Sequence, residues 1–391
     1  MKIQGFYSGY VFSGNPVIVN ETWPDGAFDP NGGSFYIEMG GTRIYEGRFF
    51  PPLAVDISEI IAANNSYFPE PPADNTDPLV VIEDAGELAS RVVNCSFVYD
   101  GIDVECSFIA IPGGISRQNY RQFLALGSDV FTKRFLNQSA NFFLSTKSPG
   151  NVLEMKETEL YPLYFMSNVN SDNMRAVAPV DGSDIDIGTL ETGIYALDVS
   201  ALRLAFVNKN GVLPSVFDIY RGDSRSCRIV IKKSDVTRDR WILKFRNSLG
   251  VFELIELTGE LSVTPAYKDN ENACFKVFDS VMSDFVTRRE RVERTLSFSV
   301  GTGVKNTKEV RFLMDMLGSD EVYLLSMTPL PIRVIPSVED YVFVCPQNSP
   351  EKFTIKLEVA EPDVNIMDDI SDGSEWERSR IFTSQFDEQF N

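Results

Sequence analysis

The 391 residues include no histidine and carry a formal net charge of −20, and these two properties exclude several classes of protein. Without histidine the chain lacks the commonest general base and the commonest metal ligand, which excludes histidine-dependent nucleophilic enzymes and histidine-ligated zinc sites. The acidic charge disfavours nonspecific binding to nucleic acid and to anionic membranes. Because 43% of the residues are hydrophobic, the chain can build packed cores and is not predicted to be disordered.

The first segment of the chain predicts β structure. Apolar residues alternate on both sides of Gly40–Gly41, which is a strong hairpin signal. A short helix is predicted to start at Asp56. The stretch from Phe68 to Pro78 is rich in proline and acidic residues, so it is predicted to be an extended connector.

Strands are predicted to resume after this connector, with a hairpin around Asp100–Gly101. Cys95 and Cys106 flank that hairpin and could face each other. No run approaches the ~20 apolar residues of a membrane helix, and Met1–Gly5 lacks the apolar core of a signal peptide. We therefore expect folding in a reducing cytoplasm, which favours buried free thiols over a disulfide.

A second β-rich region extends from about Ile194 to Val300. Apolar residues alternate in Leu202–Val207 and in Thr295–Val300, and both runs are predicted to be strands. Val216–Tyr220 and Cys227–Ile231 predict another hairpin.

A short pattern ending in Leu-Gly occurs three times. Its copies are Phe123–Gly127, Phe245–Gly250 and Phe312–Gly318, each followed by an extended apolar run. Glycine suits the left-handed residue that closes a helix, so each copy predicts a helix that leads into a strand. We expect the three copies to be structurally equivalent.

These elements predict a mainly β protein, with several antiparallel β-sandwich or barrel-like domains and a few short helices. Composition divides the chain into six segments. They are an N-terminal β domain (1–68), the Pro-rich connector (69–78), a second β domain (79–190), a third β domain (191–300), a C-terminal β segment (301–360) and an acidic tail with aromatic anchors (361–391).

Three short motifs are candidate sites with simpler alternatives. Arg221–Asp223 spells the integrin-binding tripeptide, but Gly-Asp is ordinary turn chemistry and the turn is favoured. The three carboxylates of Asp181–Asp186 do not fit an EF-hand, so a solvated acidic loop is favoured over a loose calcium site. Arg288–Arg294 is a basic patch with alternating charge, which predicts a salt-bridged face or a subunit contact.

The tail carries isolated apolar anchors in a polar sequence. They are predicted to bind a partner and are Trp376, Ile381, Phe382, Phe386 and Phe390. Such sparse anchors favour an arm that docks on another subunit. The alternative is that the tail folds back on its own domain.

Three regions together carry a family resemblance. They are Phe12–Val17 at the start, Trp241–Leu243 with Asn247–Gly250 in the middle, and Ile381–Asn391 at the end. The chain resembles poorly characterised virion proteins, of the tail or baseplate type, from phages and prophages of Bacteroidetes hosts. No catalytic motif accompanies the resemblance.

The resemblance implies a structural tail, baseplate or collar subunit, made in the host bacterial cytoplasm and then found in the virion. Its expected partners are other virion proteins and further copies of itself, in a ring or hub. We expect no enzymatic activity, cofactor, resident metal, nucleic-acid binding or membrane insertion. Two alternatives stay open. One is a receptor- or glycan-binding module that uses exposed aromatics such as Trp23 or Tyr67. The other is a carbohydrate-active enzyme with paired carboxylates.

Overall fold

The computed structural model describes most of the chain and divides it into two compact units. The described residues are 2–4, 10–21, 32–50, 53–65, 68, 70–71, 77–81, 92–99, 101–118, 120–121, 141–147, 152–167, 172–191, 193–234, 236–237, 239–268, 274–289, 293–327, 330–338 and 352–361. The first unit is drawn from Met1–Met155, Leu160–Lys232 and Asn247–Glu253. The second unit is drawn from Lys156–Glu159, Lys233–Arg246 and Leu254–Asn391.

The first unit consists mainly of strands. Its elements are β1 (Lys2–Gln4), β2 (Tyr10–Phe12), β3 (Ile18–Glu21), β4 (Gly33–Met39), β5 (Thr42–Phe49), β6 (Leu53–Asp56), α1 (Ser58–Asn64), β7 (Leu79–Val81), β8 (Val92–Tyr99), β9 (Ile102–Ile111), β10 (Phe142–Phe143), β11 (Val152–Lys156), β12 (Leu163–Ser167), β13 (Asp172–Val177), β14 (Asp184–Leu190), β15 (Gly193–Leu197), α2 (Val199–Asn210), β16 (Val216–Arg221) and β17 (Ser224–Lys232). Lys156, the last residue of β11, belongs to the second unit.

These strands form four sheets, with the orders β1-β3-β6, β2-β9-β8-β4-β5, β10-β12-β15-β7 and β11-β17-β16-β13-β14. The predicted hairpins around Gly40–Gly41 and Asp100–Gly101 are both confirmed, as β4–β5 and β8–β9. Along β4, Phe35, Ile37 and Met39 alternate into the core, which is the pattern that the sequence showed. Strand β2 pairs with β9 in parallel.

The predicted strand at Leu202–Val207 is wrong, because these residues lie in helix α2. The Asp198 carboxylate caps the helix by accepting hydrogen bonds from the backbone amides of Ser200 (2.9 Å) and Ala201 (3.0 Å). Gly211, with φ +68°, closes it. The buried side chains of Leu202 and Phe206 are four residues apart, so a helical face was also present within the alternating pattern.

The second unit is built around one large sheet. Its elements are β18 (Arg240–Arg246), β19 (Phe252–Thr258), β20 (Leu261–Lys268), β21 (Cys274–Asp279), β22 (Asp284–Arg289), β23 (Glu293–Gly301), α3 (Thr307–Leu317), β24 (Val322–Leu324), β25 (Ile332–Ser337), β26 (Thr354–Val359) and a 3-10 turn at Glu157–Glu159. The large sheet has the order β19-β18-β24-β25-β26-β23-β20, and β21 and β22 form a separate hairpin. The first two residues of β19 belong to the first unit.

Helix α3 packs on this sheet through its buried face. The Phe312 ring lies 5.1 Å from that of Phe245, in an edge-on arrangement, and Leu313 and Met316 are fully buried beside it. The Asn306 side chain and Glu309 form a capping box at the start of the helix. The amphipathic face and the cap together explain why this segment is helical within a β-rich chain.

The prediction that the three Leu-Gly copies are equivalent is wrong. The second copy contains no helix, because β18 runs to Arg246 and is followed by a turn at Asn247–Gly250. The third copy does end a helix, but Gly318 has a φ of −88° and is not left-handed. The first copy, Phe123–Gly127, lies outside the described residues.

The fold class is as predicted. The chain is mainly β, with several antiparallel sheets and short helices. Within the part of the chain that the structure describes, every sheet has two open ends, so the barrel-like variant is not formed there. The six segment boundaries stay a prediction, because the division into two compact units does not show which segments fold alone. Each described helix falls short of the length and apolar character that a membrane span requires.

Candidate assembly interface

The hairpin of β21 and β22, residues 274–289, is called the exposed hairpin below. Phe278 lies opposite Phe285, and Val277 lies opposite Val286. The Asp279 carboxylate accepts hydrogen bonds from the backbone amides of Val281 (2.9 Å) and Met282 (3.4 Å), which holds the turn in place.

The turn of this hairpin is apolar and solvent-exposed. Val281 is 91% exposed and Met282 is 73% exposed, and more than half of the surface of Phe278 and of Phe285 is open to solvent. The two phenyl rings stack edge to face, with centroids 5.4 Å apart. We call these four residues the apolar tip. Clustered exposed apolar side chains of this kind mark interaction sites on soluble proteins.

The stem of the exposed hairpin is basic. Lys276 is exposed on β21, and Arg288 and Arg289 lie at the end of β22. The predicted basic patch Arg288–Arg294 therefore begins within this hairpin, and its residues 290–292 lie outside the described part of the chain. With Asp279 and Asp284 at its turn, the hairpin has three basic and two acidic residues and is slightly positive in a chain of net charge −20.

Glu256 is the centre of a buried charge cluster in the second unit. Its carboxylate lies 2.9 Å from Lys156 Nζ and 3.0 Å from Arg240 Nε, and it also accepts a hydrogen bond from the Thr158 hydroxyl. Its side chain is fully buried.

The backbone amide and carbonyl of Glu256 also form hydrogen bonds with charged side chains. Its amide donates to Glu159 Oε1 (2.9 Å), and its carbonyl accepts from Lys305 Nζ (2.7 Å). Burial, and then the neighbouring Lys156 ammonium, lower the pKa of Lys305. The cluster thus ties together segments that lie about 50 and 100 residues away in sequence.

Glu253 lies in the first unit and is also buried. Its carboxylate accepts hydrogen bonds from Ser145 Oγ (2.5 Å), from the amide of Thr146 (3.1 Å) and from Asn247 Nδ2 (2.7 Å). Burial raises its pKa, and the nearby Lys147 ammonium and these hydrogen bonds oppose that increase.

The two buried carboxylates bear on the alternative of a glycan-cleaving enzyme. A general acid or base must reach the bond that it acts on, whereas Glu253 and Glu256 are 4% and 0% exposed and their oxygens already accept hydrogen bonds from neighbouring residues. This arrangement favours a structural role for both.

A prediction about pH follows from the buried position of Glu253. The pKa of Glu253 is higher in the folded chain than in the unfolded chain, where it has its ordinary value near 4.5. In the pH window between these two values, the folded chain keeps a proton that the unfolded chain has released. Raising the pH through that window therefore costs stability. We expect the free energy of unfolding of the parent to fall relative to that of Glu253→Gln between pH 4 and pH 7, as measured by denaturant titration at each pH. A difference that does not change with pH would contradict this.

The structure places Gly222 and Asp223 in the turn between β16 and β17, directly after Arg221, the last residue of β16, so the turn interpretation is confirmed. Gly222 has φ +55°, and Arg221 is only 2% exposed, with its guanidinium directed to Asn141 Oδ1 at 3.5 Å. A buried arginine does not suit integrin recognition.

The predicted acidic loop Asp181–Asp186 is a loop only as far as Ser183, because Asp184–Asp186 begin β14. The Asp181 carboxylate accepts from the amide and the hydroxyl of Ser183, and Asp184 pairs with Lys209 at 3.3 Å. Among the described residues, no group of three or more acidic or cysteine side chains is placed to hold a metal ion.

Cys95 and Cys106 do face each other, as directly paired residues of β8 and β9, and both are free thiols. The hydrogen bond with Cys106 and then burial raise the pKa of the Cys95 thiol.

The remaining predicted site residues lie outside the described part of the chain. They are Trp23, Tyr67, Trp376, Ile381, Phe382, Phe386 and Phe390. The apolar tip was not predicted from the sequence. A signal was present, because Val281–Met282 stands between Asp279–Ser280 and Ser283–Asp284, where a turn normally carries only polar residues.

No protein-family model and no curated protein matches this chain. The exposed hairpin is the described feature best suited to contact another protein, since its apolar side chains face solvent and its turn is fixed by Asp279.

Proposed function

We propose that this protein is a structural subunit that acts by assembling with other proteins, as a tail, baseplate or collar component of a phage or prophage virion. The observation that carries the proposal is the apolar tip, which is solvent-exposed at the end of the hairpin. The resemblance of three sequence regions to virion proteins of Bacteroidetes phages supports the choice of particle.

The exposed hairpin would act as an anchor that inserts into an apolar site on an adjoining subunit. Burying one large apolar side chain contributes about 1.5–3 kcal/mol. A stable interface buries about 800 Å² on each partner, which is more than one hairpin turn provides. The tip is therefore the centre of a larger contact, in a ring or hub of identical or related subunits.

The absence of histidine from the sequence and the burial of Glu253 and Glu256 support an assembly role over a catalytic one. A receptor- or glycan-binding module on the same particle is the second candidate, favoured by the exposed Phe278–Phe285 pair, since aromatic rings stack on sugars. Binding on a glycan array that is lost in Phe285→Ser would support this second candidate.

The test places charge on the apolar tip. We expect the double variant Val281→Asp, Met282→Asp to raise the concentration at which the full chain self-associates by tenfold or more, because two carboxylates would have to be desolvated in the contact. Sedimentation velocity over a range of concentrations measures this midpoint.

The control is Val180→Asp, which introduces one carboxylate at another turn, where the valine is 90% exposed. We expect it to leave the midpoint unchanged. Equal effects of the two variants, or a chain that stays monomeric at every concentration reached, would contradict the proposal.

A further inference from the structure

Strand β26 runs towards the attachment point of the exposed hairpin. It pairs antiparallel with β23, with Thr354 opposite Gly301 and Glu358 opposite Ser297. The start of β23, Glu293, follows the end of β22 after three residues. The direction of β26 is therefore towards the base of the hairpin, and the described residues end at Glu361, two residues after β26.

The sequence beyond this point is chemically complementary to the hairpin. Residues 362–391 contain eight acidic and two basic residues, together with the five predicted anchors Trp376, Ile381, Phe382, Phe386 and Phe390. The hairpin offers an apolar tip, and its stem carries Lys276, Arg288 and Arg289. Acidic residues suit the stem, and aromatic anchors suit the tip.

The distances allow this contact within one chain. The hairpin and its three linking residues span about 35 Å from Glu293 to the turn, at ~3.3 Å per extended residue. The fifteen residues from Glu361 to Trp376 span up to about 50 Å. A tethered segment of this kind has an effective concentration on the order of millimolar, well above that of a separate subunit.

We propose that the C-terminal tail, residues 362–391, covers the exposed hairpin of its own chain in the unassembled subunit. Its aromatic anchors pack on the apolar tip, and its carboxylates lie along the basic stem. The inference rests on the proposed function, because it takes the hairpin as the assembly contact. The tail and the neighbouring subunits then compete for the apolar tip, and association is delayed until the subunit concentration is high.

The first test detects the contact itself. The variant Met282→benzoylphenylalanine is irradiated in the full chain, at a concentration at which it sediments as a monomer. We expect crosslinks to peptides within residues 370–391, on a product of monomer mass. Val180→benzoylphenylalanine, at a position in the first unit that is also exposed, is expected to give none of these crosslinks.

The second test measures competition. Deleting residues 370–391 is expected to lower the midpoint concentration of self-association roughly tenfold, which corresponds to ~1.4 kcal/mol. In the Val281→Asp, Met282→Asp background, the same deletion is expected to change the midpoint little, because the contact is already lost. Circular dichroism checks that the shortened chain is folded.

The outcomes separate this inference from the proposed function. The proposed contact between the tail and the hairpin of one chain is wrong if the monomer gives no tail crosslinks, or if tail crosslinks occur only in covalent dimers. Neither result contradicts the assembly role. Tail crosslinks in a chain that never associates would overturn the assembly role and leave the contact standing. Cosedimentation with phosphatidylglycerol vesicles that requires the tip would assign the hairpin to a lipid surface and overturn the inference.

Discussion

Replacing Glu256 with alanine is expected to lower the free energy of unfolding of the second unit by about 3–5 kcal/mol, the usual cost of removing one partner from a buried ion pair. The variant would leave Lys156 and Arg240 without the carboxylate that lies 2.9 Å and 3.0 Å from them. Denaturant titration monitored by circular dichroism measures the loss, and hydrogen exchange of β18 and β19 locates it in the structure.

The matched control is Glu154→Ala, which removes the carboxylate of a partly exposed ion pair, 2.6 Å from Lys232 Nζ. Pairs of this kind contribute at most about 1 kcal/mol. If the two substitutions cost the same, the Glu256 cluster is not an essential part of the core of the second unit.

A second large effect is expected at Gly250. Its φ is +89°, and an added Cβ would lie 2.5 Å from the carbonyl oxygen of Pro112, a backbone atom that cannot rotate away. Gly250→Ala combines a strained backbone with this clash, so we expect a loss of about 3 kcal/mol or more in the free energy of unfolding of the first unit.

Gly182→Ala separates the two causes. Gly182 has φ +73°, but nothing lies within 4 Å of its added Cβ. We expect this variant to lose only the 1–2 kcal/mol or so of left-handed strain. A loss at Gly250 no greater than the loss at Gly182 would show that the loop of Pro112 moves aside at little cost.

The parts of the fold that the sequence predicted correctly depend on local chemistry. Gly40–Gly41 and Asp100–Gly101 each predict a tight turn between alternating runs, and both hairpins are present. Period-two alternation in Thr295–Val300 gives β23. In these segments one short-range pattern determines both the element and its buried face.

The errors occur where two local patterns compete. Leu202–Val207 alternates like a strand, but Asp198 and Gly211 cap a helix that tertiary packing then buries. Phe245–Gly250 has a helix-stop glycine, yet the positive φ of Gly250 serves a tight turn, in which Asn247 Oδ1 accepts from the amides of Leu249 and Val251. A glycine indicates an unusual backbone angle, but it does not indicate whether that angle ends a helix or forms a tight turn.

The candidate sites were hardest to predict because their partners are far apart in sequence. Lys156 and Glu256 are 100 residues apart, and no spacing rule links them. The apolar tip was missed for another reason. Its four residues gain significance only because they are exposed, and exposure of Val281 cannot be read from a turn sequence.

The path of the chain between the two units has a consequence for inheritance. The chain passes from one unit to the other after residues 155, 159, 232, 246 and 253. A single genetic crossover between the first and last of these points would mix segments from two parents in both units, whereas a crossover outside them would mix segments in only one. Cores assembled from mismatched parents lose the close packing that stabilises them. We therefore expect exchange between related genes to transfer this interwoven region as one piece.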